Sequence, residues 1–125
     1  MKSPVVLFIF KRSETLPAII ERIRLYAPDK IYLLADGPRN TNEEILTEKT
    51  RSLALSLITW NCKVITKFSK ENIGVYRNIG EGAKWIFNQE DRAIFLEDDN
   101  LPEPTFFRYC DDLLEKYENN TEILW

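Results

Sequence analysis

Three consecutive acidic residues, Glu97, Asp98 and Asp99, are the sharpest chemical feature of the sequence. They directly follow the short apolar stretch AIFL, which is typical of a buried strand. In open α/β sheets, ligands bind in the crevice outside the carboxyl ends of the strands. Adjacent carboxylates repel one another, and their hard oxygens suit Mg²⁺ or Mn²⁺. The triplet therefore predicts a divalent-metal site, and the alternative is a solvated acidic loop before a helix N-terminus.

Charged residues also follow the first two apolar stretches of the chain. Lys11 and Arg12 come after PVVLFIF, where a basic pair beside a helix N-terminus can meet an anion or a planar base. Asp36 comes after IYLLA, where a buried carboxylate could accept hydrogen bonds from a base or a ribose. The plainer alternatives are a solvated charge pair and an ordinary Asp-Gly turn. Both features are predicted to lie on the same rim as the acidic triplet.

A stretch of small and polar residues, NIGVYRNIG at 72–80, is the fourth candidate. Its glycines could let the backbone approach a ligand closely, or they could serve close packing of a helix on the sheet. The stretch is not GxGxxG, and neither GxxxxGKS nor GxxxxGKT occurs in the chain. The usual dinucleotide and P-loop fingerprints are therefore excluded.

The composition excludes several classes of function. The 125 residues include 17 Lys and Arg, 20 Asp and Glu, and no His, for a formal net charge of −3. The missing His excludes Ser-His-Asp and Cys-His catalysis and any His metal ligand within the chain. No basic run indicates a nucleic-acid partner. Cys62 and Cys110 form neither a metal spacing nor a CxxC pair, so they indicate reduced thiols of a cytoplasmic protein. No apolar run approaches the ~20 residues of a transmembrane segment.

The hydrophobic pattern predicts the scaffold that must position these candidates. Apolar stretches at 4–10, 31–35 and 93–96 suit strands buried on both faces, whereas residues 63–68 alternate as in a more exposed strand. Segments with helical spacing separate these strands. Such alternation predicts a single three-layer α/β/α domain over residues 1–125, with a mostly parallel sheet.

The starts of the helices can be predicted from residues that favour N-caps. Ser13 is the expected cap of the first helix, and Thr41 with Glu44 forms a capping box for the second. Thr105 is expected to cap the fourth helix. Residues 122–125 resemble the opening of a fifth strand, so we expect the chain to be a fragment of a longer protein.

Taken together, these residues resemble the nucleotide-sugar-binding half of a GT-A-fold glycosyltransferase of the bacterial, family-2-like kind. The segments PVVLFIFKRSETLPAIIERI and IYLLADGPR resemble the family's first strand and helix and its second strand. NIGVYRNIGEGAKWIF resembles the loop and helix that lead to the metal motif. AIFLEDDNLPEPTFFRYCDDLLEKY, the most specific segment, resembles the metal-motif strand and the helix after it. The resemblance covers essentially the whole chain and implies a Rossmann-like sheet with strand order 3-2-1-4.

The resemblance implies a role for each member of the acidic triplet. Asp99 would coordinate the Mn²⁺ or Mg²⁺ that bridges the diphosphate of the donor. Asp98 would contact the ribose or assist the metal, and Glu97 would touch the donor sugar. A divalent ion also explains how an acidic crevice can serve an anionic substrate, because it reverses the local sign of charge.

The resemblance implies further contacts with a nucleotide-diphospho-sugar, most simply a UDP-sugar. Asp36 would hydrogen-bond the base, Arg12 would flank the base, and Arg77 and Asn78 would lie on the donor rim. The catalytic base of inverting members would lie beyond Trp125. The parent protein is therefore expected to transfer a sugar to a saccharide or another acceptor.

Two other functions stay open at this point. The chain could be a non-catalytic domain that keeps the fold for interaction and associates with itself through exposed apolar surface. It could also be a receiver-like signalling domain, although a receiver has an acidic pair after its first strand, where this chain has Lys11 and Arg12. For the parent enzyme, peripheral contact with the inner face of the membrane is a further alternative to a purely cytoplasmic location.

Overall fold

A computed structural model describes residues 2–99 and 101–116 of the chain. Within these ranges strands and helices alternate strictly, as the hydrophobic pattern predicts. The elements are β1 (Val5–Ile9), α1 (Leu16–Tyr26), β2 (Lys30–Ala35), α2 (Thr41–Leu57), β3 (Lys63–Phe68), α3 (Val75–Phe87), β4 (Ile94–Glu97) and α4 (Pro104–Lys116). The predicted fifth strand at 122–125 lies outside the described residues.

The four strands form one all-parallel sheet in the order β3-β2-β1-β4. β1 pairs with β2 along its whole length, and Phe8 of β1 lies opposite Glu97 of β4. The direction of winding reverses between β1 and β4, and such a switch point opens a crevice at the carboxyl ends of the strands. The predicted fold class and strand order are both confirmed.

Both faces of the sheet are buried, which explains the continuous apolar runs in the central strands. Val5, Leu7 and Ile9 of β1 join one core cluster, and the alternate residues Val6 and Phe8 join the other. Side chains of α1, α2 and α4 pack in the first cluster, and side chains of α3 pack in the second. The molecule is therefore a three-layer α/β/α structure.

The β3 edge of the sheet is more exposed than the centre, as its alternating sequence predicts. Lys63 and Lys67 are exposed, and the apolar residues of this strand are only half-buried. Lysines on an edge strand oppose pairing with another chain.

In the described ranges, no helix is long and apolar enough to cross a bilayer.

The predicted cap of α1 is wrong, because the helix begins later than expected. Thr15, not Ser13, occupies the N-cap position, and its side chain makes no capping bond. The Thr15 hydroxyl instead donates to the backbone carbonyl of Asp98 at 2.6 Å. The first turn of α1 is thereby fastened to the turn after β4.

The predicted caps of α2 and α4 are both wrong, because α2 begins one residue and α4 two residues earlier than those caps imply. α2 is capped by Asn40, whose side-chain oxygen accepts the Glu43 amide at 2.9 Å, rather than by the box of Thr41 and Glu44. Asn is among the strongest N-cap residues, so it takes the position from the Thr that follows. α4 begins at Pro104, which places Thr105 inside its first turn.

Candidate functional site

A pocket of about 410 Å³ lies at the carboxyl edge of the sheet, beside the switch point between β1 and β4. Its walls come from the ends of β1, β2 and β4 and from the N-terminus of α3. The pocket brings together most of the residues predicted from the sequence, namely Arg12, Asp36, Asn78, Glu97, Asp98 and Asp99. The parallel register brings the strand-end residues together, because it places the ends of three strands at one edge, and Asn78 lines the pocket from α3.

Arg77 is a predicted site residue that does not line the pocket. Its guanidinium pairs with Glu81 at 3.0 Å, one turn further along α3, and its side chain is 66% exposed. The neighbouring Asn78 lines the pocket instead. Consecutive helical residues point about 100° apart, so only one of the two can face the sheet edge.

The acidic corner of the pocket is built by β4 and the turn that follows it. Glu97 is the last residue of β4 and Asp98 is half-buried, whereas Asp99 is exposed. The Asp98 carboxylate accepts the Phe10 amide at 3.2 Å. Burial raises the pKa of Asp98 and the charge of Asp99 adds to the effect, against the Phe10 amide and the charge of Arg12. The hydrogen bond from Phe10 and the charge of Arg12 thus do not fully offset the cost of burying the ionised Asp98 carboxylate.

The acidic corner offers hard oxygen ligands of the kind that Mg²⁺ and Mn²⁺ prefer. Among the described residues, no cluster of three carboxylates converges tightly enough to hold an ion unaided. Mg²⁺ usually needs only one or two carboxylates, with substrate phosphates and waters completing its shell. Asp98 and Asp99 fit that pattern, since a cation would offset the desolvation of Asp98.

The second acidic corner, at the end of β2, is arranged in the opposite way. Asp36 is only 6% exposed, and its carboxylate accepts four hydrogen bonds from the protein. The donors are the amides of Gly37, Ile73 and Gly74 and the side-chain nitrogen of Asn72, at 2.8–3.1 Å. A carboxylate offers about four acceptor positions, so these bonds commit Asp36 to holding the loop between β3 and α3.

Two glycines permit this close approach of loop and strand end. A side chain at Gly37 would place its first carbon 2.4 Å from the Glu71 carbonyl carbon. Gly74, at the N-cap of α3, has a φ of 91°, which favours glycine. The loop therefore packs directly on the Asp36-Gly37 turn and forms one wall of the pocket.

A basic wall joins the ends of β1 and β2. Lys11 and Arg39 both donate to the carboxylate of Glu43, in the first turn of α2, with the lysine nitrogen at 2.9 Å. Glu43 is buried, and hydrogen bonds from Arg39 and then Lys11 hold its pKa well below its usual range. Lys11 and Arg39 also line the pocket, and their charges lie about 6 Å from the Phe10 ring.

The basic wall contains residues that sequence reasoning missed. Lys11 was expected at the rim, but Arg39 and Glu43 were not identified as members of the site. Their spacing of four residues was the available signal, because Arg39 lies just before the N-cap of α2 and Glu43 lies in its first turn, where the two charges can pair. The part played by Lys11 depends on a contact 32 residues away in sequence.

A scan against protein-family models finds no match to the chain, and a search of curated proteins finds none either.

Proposed function

We propose that this chain is the donor-binding part of a metal-dependent glycosyltransferase that takes a nucleotide-diphospho-sugar. The observation that carries the proposal is the pocket at the switch point, with a carboxylate corner on β4 and a basic wall across β1 and β2. A donor of this class needs both, because its diphosphate calls for a cation and its base and ribose offer hydrogen-bond acceptors.

In this proposal Asp98 and Asp99 hold the divalent ion, which when bound neutralises charge on the diphosphate leaving group. Glu97 lies beside them at the end of β4 and faces the donor sugar. Arg12 keeps a positive charge near Asp98, where it partly offsets the repulsion from Asp99. These residues bind and orient the donor, and none of the described pocket residues is assigned as the catalytic base.

The nucleoside part is placed along the basic wall. Lys11 and Arg39 are held in place by Glu43, so they lose little side-chain freedom when a ligand binds. The base contact that the resemblance implies for Asp36 stays a prediction. Because four protein donors already occupy that carboxylate, we propose that Asp36 acts mainly by shaping the wall.

The test is calorimetric titration of UDP into the protein with Mn²⁺ and, separately, with chelator. We expect binding that requires the metal and that Asp99→Ala weakens at least about tenfold, as loss of a charged ligand should. Asp112→Ala is the matched control, because it removes an exposed carboxylate on α4 that does not line the pocket. Folded wild-type protein that binds no UDP under either condition would favour the non-catalytic interaction domain instead.

A further inference from the structure

We infer that Arg51 is a positioning residue of the pocket, which fixes the wall formed by Asp36 and the loop between β3 and α3. Arg51 lies on α2, and it does not line the pocket. The inference concerns the position of that wall, and its consequence for nucleotide affinity rests on the proposed function.

One guanidinium nitrogen of Arg51 ties two strand ends together. Nη2 donates to the backbone carbonyl of Asp36 at 2.9 Å and to that of Ser69 at 2.9 Å. Asp36 follows β2 and Ser69 follows β3, so this nitrogen bridges the two exits of neighbouring strands. The guanidinium also stacks over Phe68, with 4.9 Å between its carbon and the ring centre.

Arg51 holds the backbone of Asp36, and Asp36 in turn holds the loop that forms the pocket wall. The backbone of Asp36 is fixed by Arg51 from the side of α2, and the Asp36 carboxylate accepts the amides of Ile73 and Gly74. Ser69 begins the loop that ends at Gly74. The loop is thus fastened at its start by Arg51 and at its end by Asp36.

The arrangement is costly for a residue that only stabilises the fold. The Nε of Arg51 is buried and has no hydrogen-bond partner in the described part of the chain. An unsatisfied buried donor lowers the stability of a protein. An apolar side chain could cover Phe68 without that cost, but it could not bridge two carbonyls.

Two measurements on Arg51→Met test the inference. Amide hydrogen exchange at Ile73 and Gly74 should become roughly tenfold faster, as expected when about one hydrogen bond is lost, while core amides keep their protection. The Kd for UDP with Mn²⁺ should rise by a similar factor. Lys49→Met is the matched control, because it removes an exposed cation from the same helix, and it should change neither quantity.

Two further variants separate positioning from simple destabilisation. Arg51→Lys keeps the charge but not the planar guanidinium, so it should restore part of the protection and part of the affinity. If Arg51 acts through Asp36, the effects of Arg51→Met and Asp36→Asn on exchange at Gly74 should be less than additive.

Unchanged exchange at Ile73 and Gly74 in Arg51→Met would overturn the inference, and so would faster exchange with unchanged affinity. If wild-type protein binds no UDP, the proposed function fails, and the exchange data alone decide whether Arg51 positions the loop. Should Arg51→Met not fold, the same two measurements on Arg51→Lys decide.

Discussion

The two acidic corners of the pocket differ in how their carboxylates are satisfied. At the end of β2, Asp36 is almost fully buried and accepts four hydrogen bonds from protein donors. At the end of β4, burial penalises the ionised form of Asp98 and the neighbouring Asp99 adds repulsion. The saturated carboxylate of Asp36 builds a wall, whereas we propose that the incompletely compensated one of Asp98 helps to hold a cation. Similar positions at the ends of two parallel strands are therefore satisfied in different ways.

The largest expected effect comes from Asp36→Ala. The amides of Ile73 and Gly74 would lose their acceptor, and the loop would lose its attachment to β2. We expect a loss of about 2–4 kcal/mol in the free energy of unfolding, since several donors are orphaned together. Urea denaturation measures this loss, and Asp112→Ala, which removes an exposed carboxylate, is the control. A change as small as in the control would contradict the structural role of Asp36.

Glu43→Gln tests whether a second saturated carboxylate also builds the pocket. Arg39 and Lys11 hold the folded-state pKa of Glu43 below its usual value, so the stability that this residue contributes is present above pH ~4.3. That contribution is lost as the pH falls from there toward the lower folded-state pKa. The variant should therefore melt several degrees below wild type at pH 7, and the two melting curves should converge in acid. Thermal denaturation at pH 7, 5 and 3 measures the difference, and a constant gap would contradict the assignment.

Asp98→Asn should raise the stability of the protein at neutral pH, whereas Glu43→Gln should lower it. The pKa of Asp98 is raised by burial, so the folded state binds its proton more tightly than the unfolded state. The ionised group therefore lowers stability at neutral pH, and this cost disappears below the usual aspartate pKa of about 3.9. We expect the variant to melt a few degrees higher than wild type at pH 7 and equally at pH 3.

The same variant should lose the metal-dependent part of UDP binding, because a neutral amide replaces a charged ligand. Gain of stability with loss of binding is the usual balance at a functional site. Asp112→Asn is the matched control, because it removes the same charge from an exposed carboxylate that does not line the pocket. If Asp98→Asn is less stable than wild type at pH 7, then Asp98 stabilises the fold as Asp36 does, and the difference between the two corners is contradicted.

The fold could be predicted from the sequence because it depends on local patterns. The apolar runs of β1, β2 and β4 and the alternation of β3 reflect how many faces of each strand are buried. The pocket followed from the same pattern, since parallel strands bring their carboxyl ends to one edge. Five of the predicted site residues line it for this reason, and the sixth, Asn78, lines it from α3.

The details that failed depend on contacts between residues far apart in the chain. The Thr15 hydroxyl bonds a carbonyl 83 residues away, so a local capping rule could not identify its partner. The four bonds to Asp36 come largely from a loop about 37 residues further on, and nothing beside Asp36 indicates them. Arg51 likewise reaches Ser69, 18 residues along the chain. Pairings of this kind become visible only when the strands are placed side by side.

Arg77→Ala should have the smallest effect on stability and on UDP binding. Arg77 lies outside both corners, and its exposed pair with Glu81 is worth at most about 1 kcal/mol. The Kd for UDP with Mn²⁺ should stay within about twofold of wild type, whereas Asn78→Ala, its neighbour in the pocket, should weaken binding more. Equal losses in the two variants would mean that the donor extends past the pocket along α3. The pocket would then have three groups of residues: those that build its wall, those that bind the donor inside it, and those such as Arg77 that contact the donor on its rim.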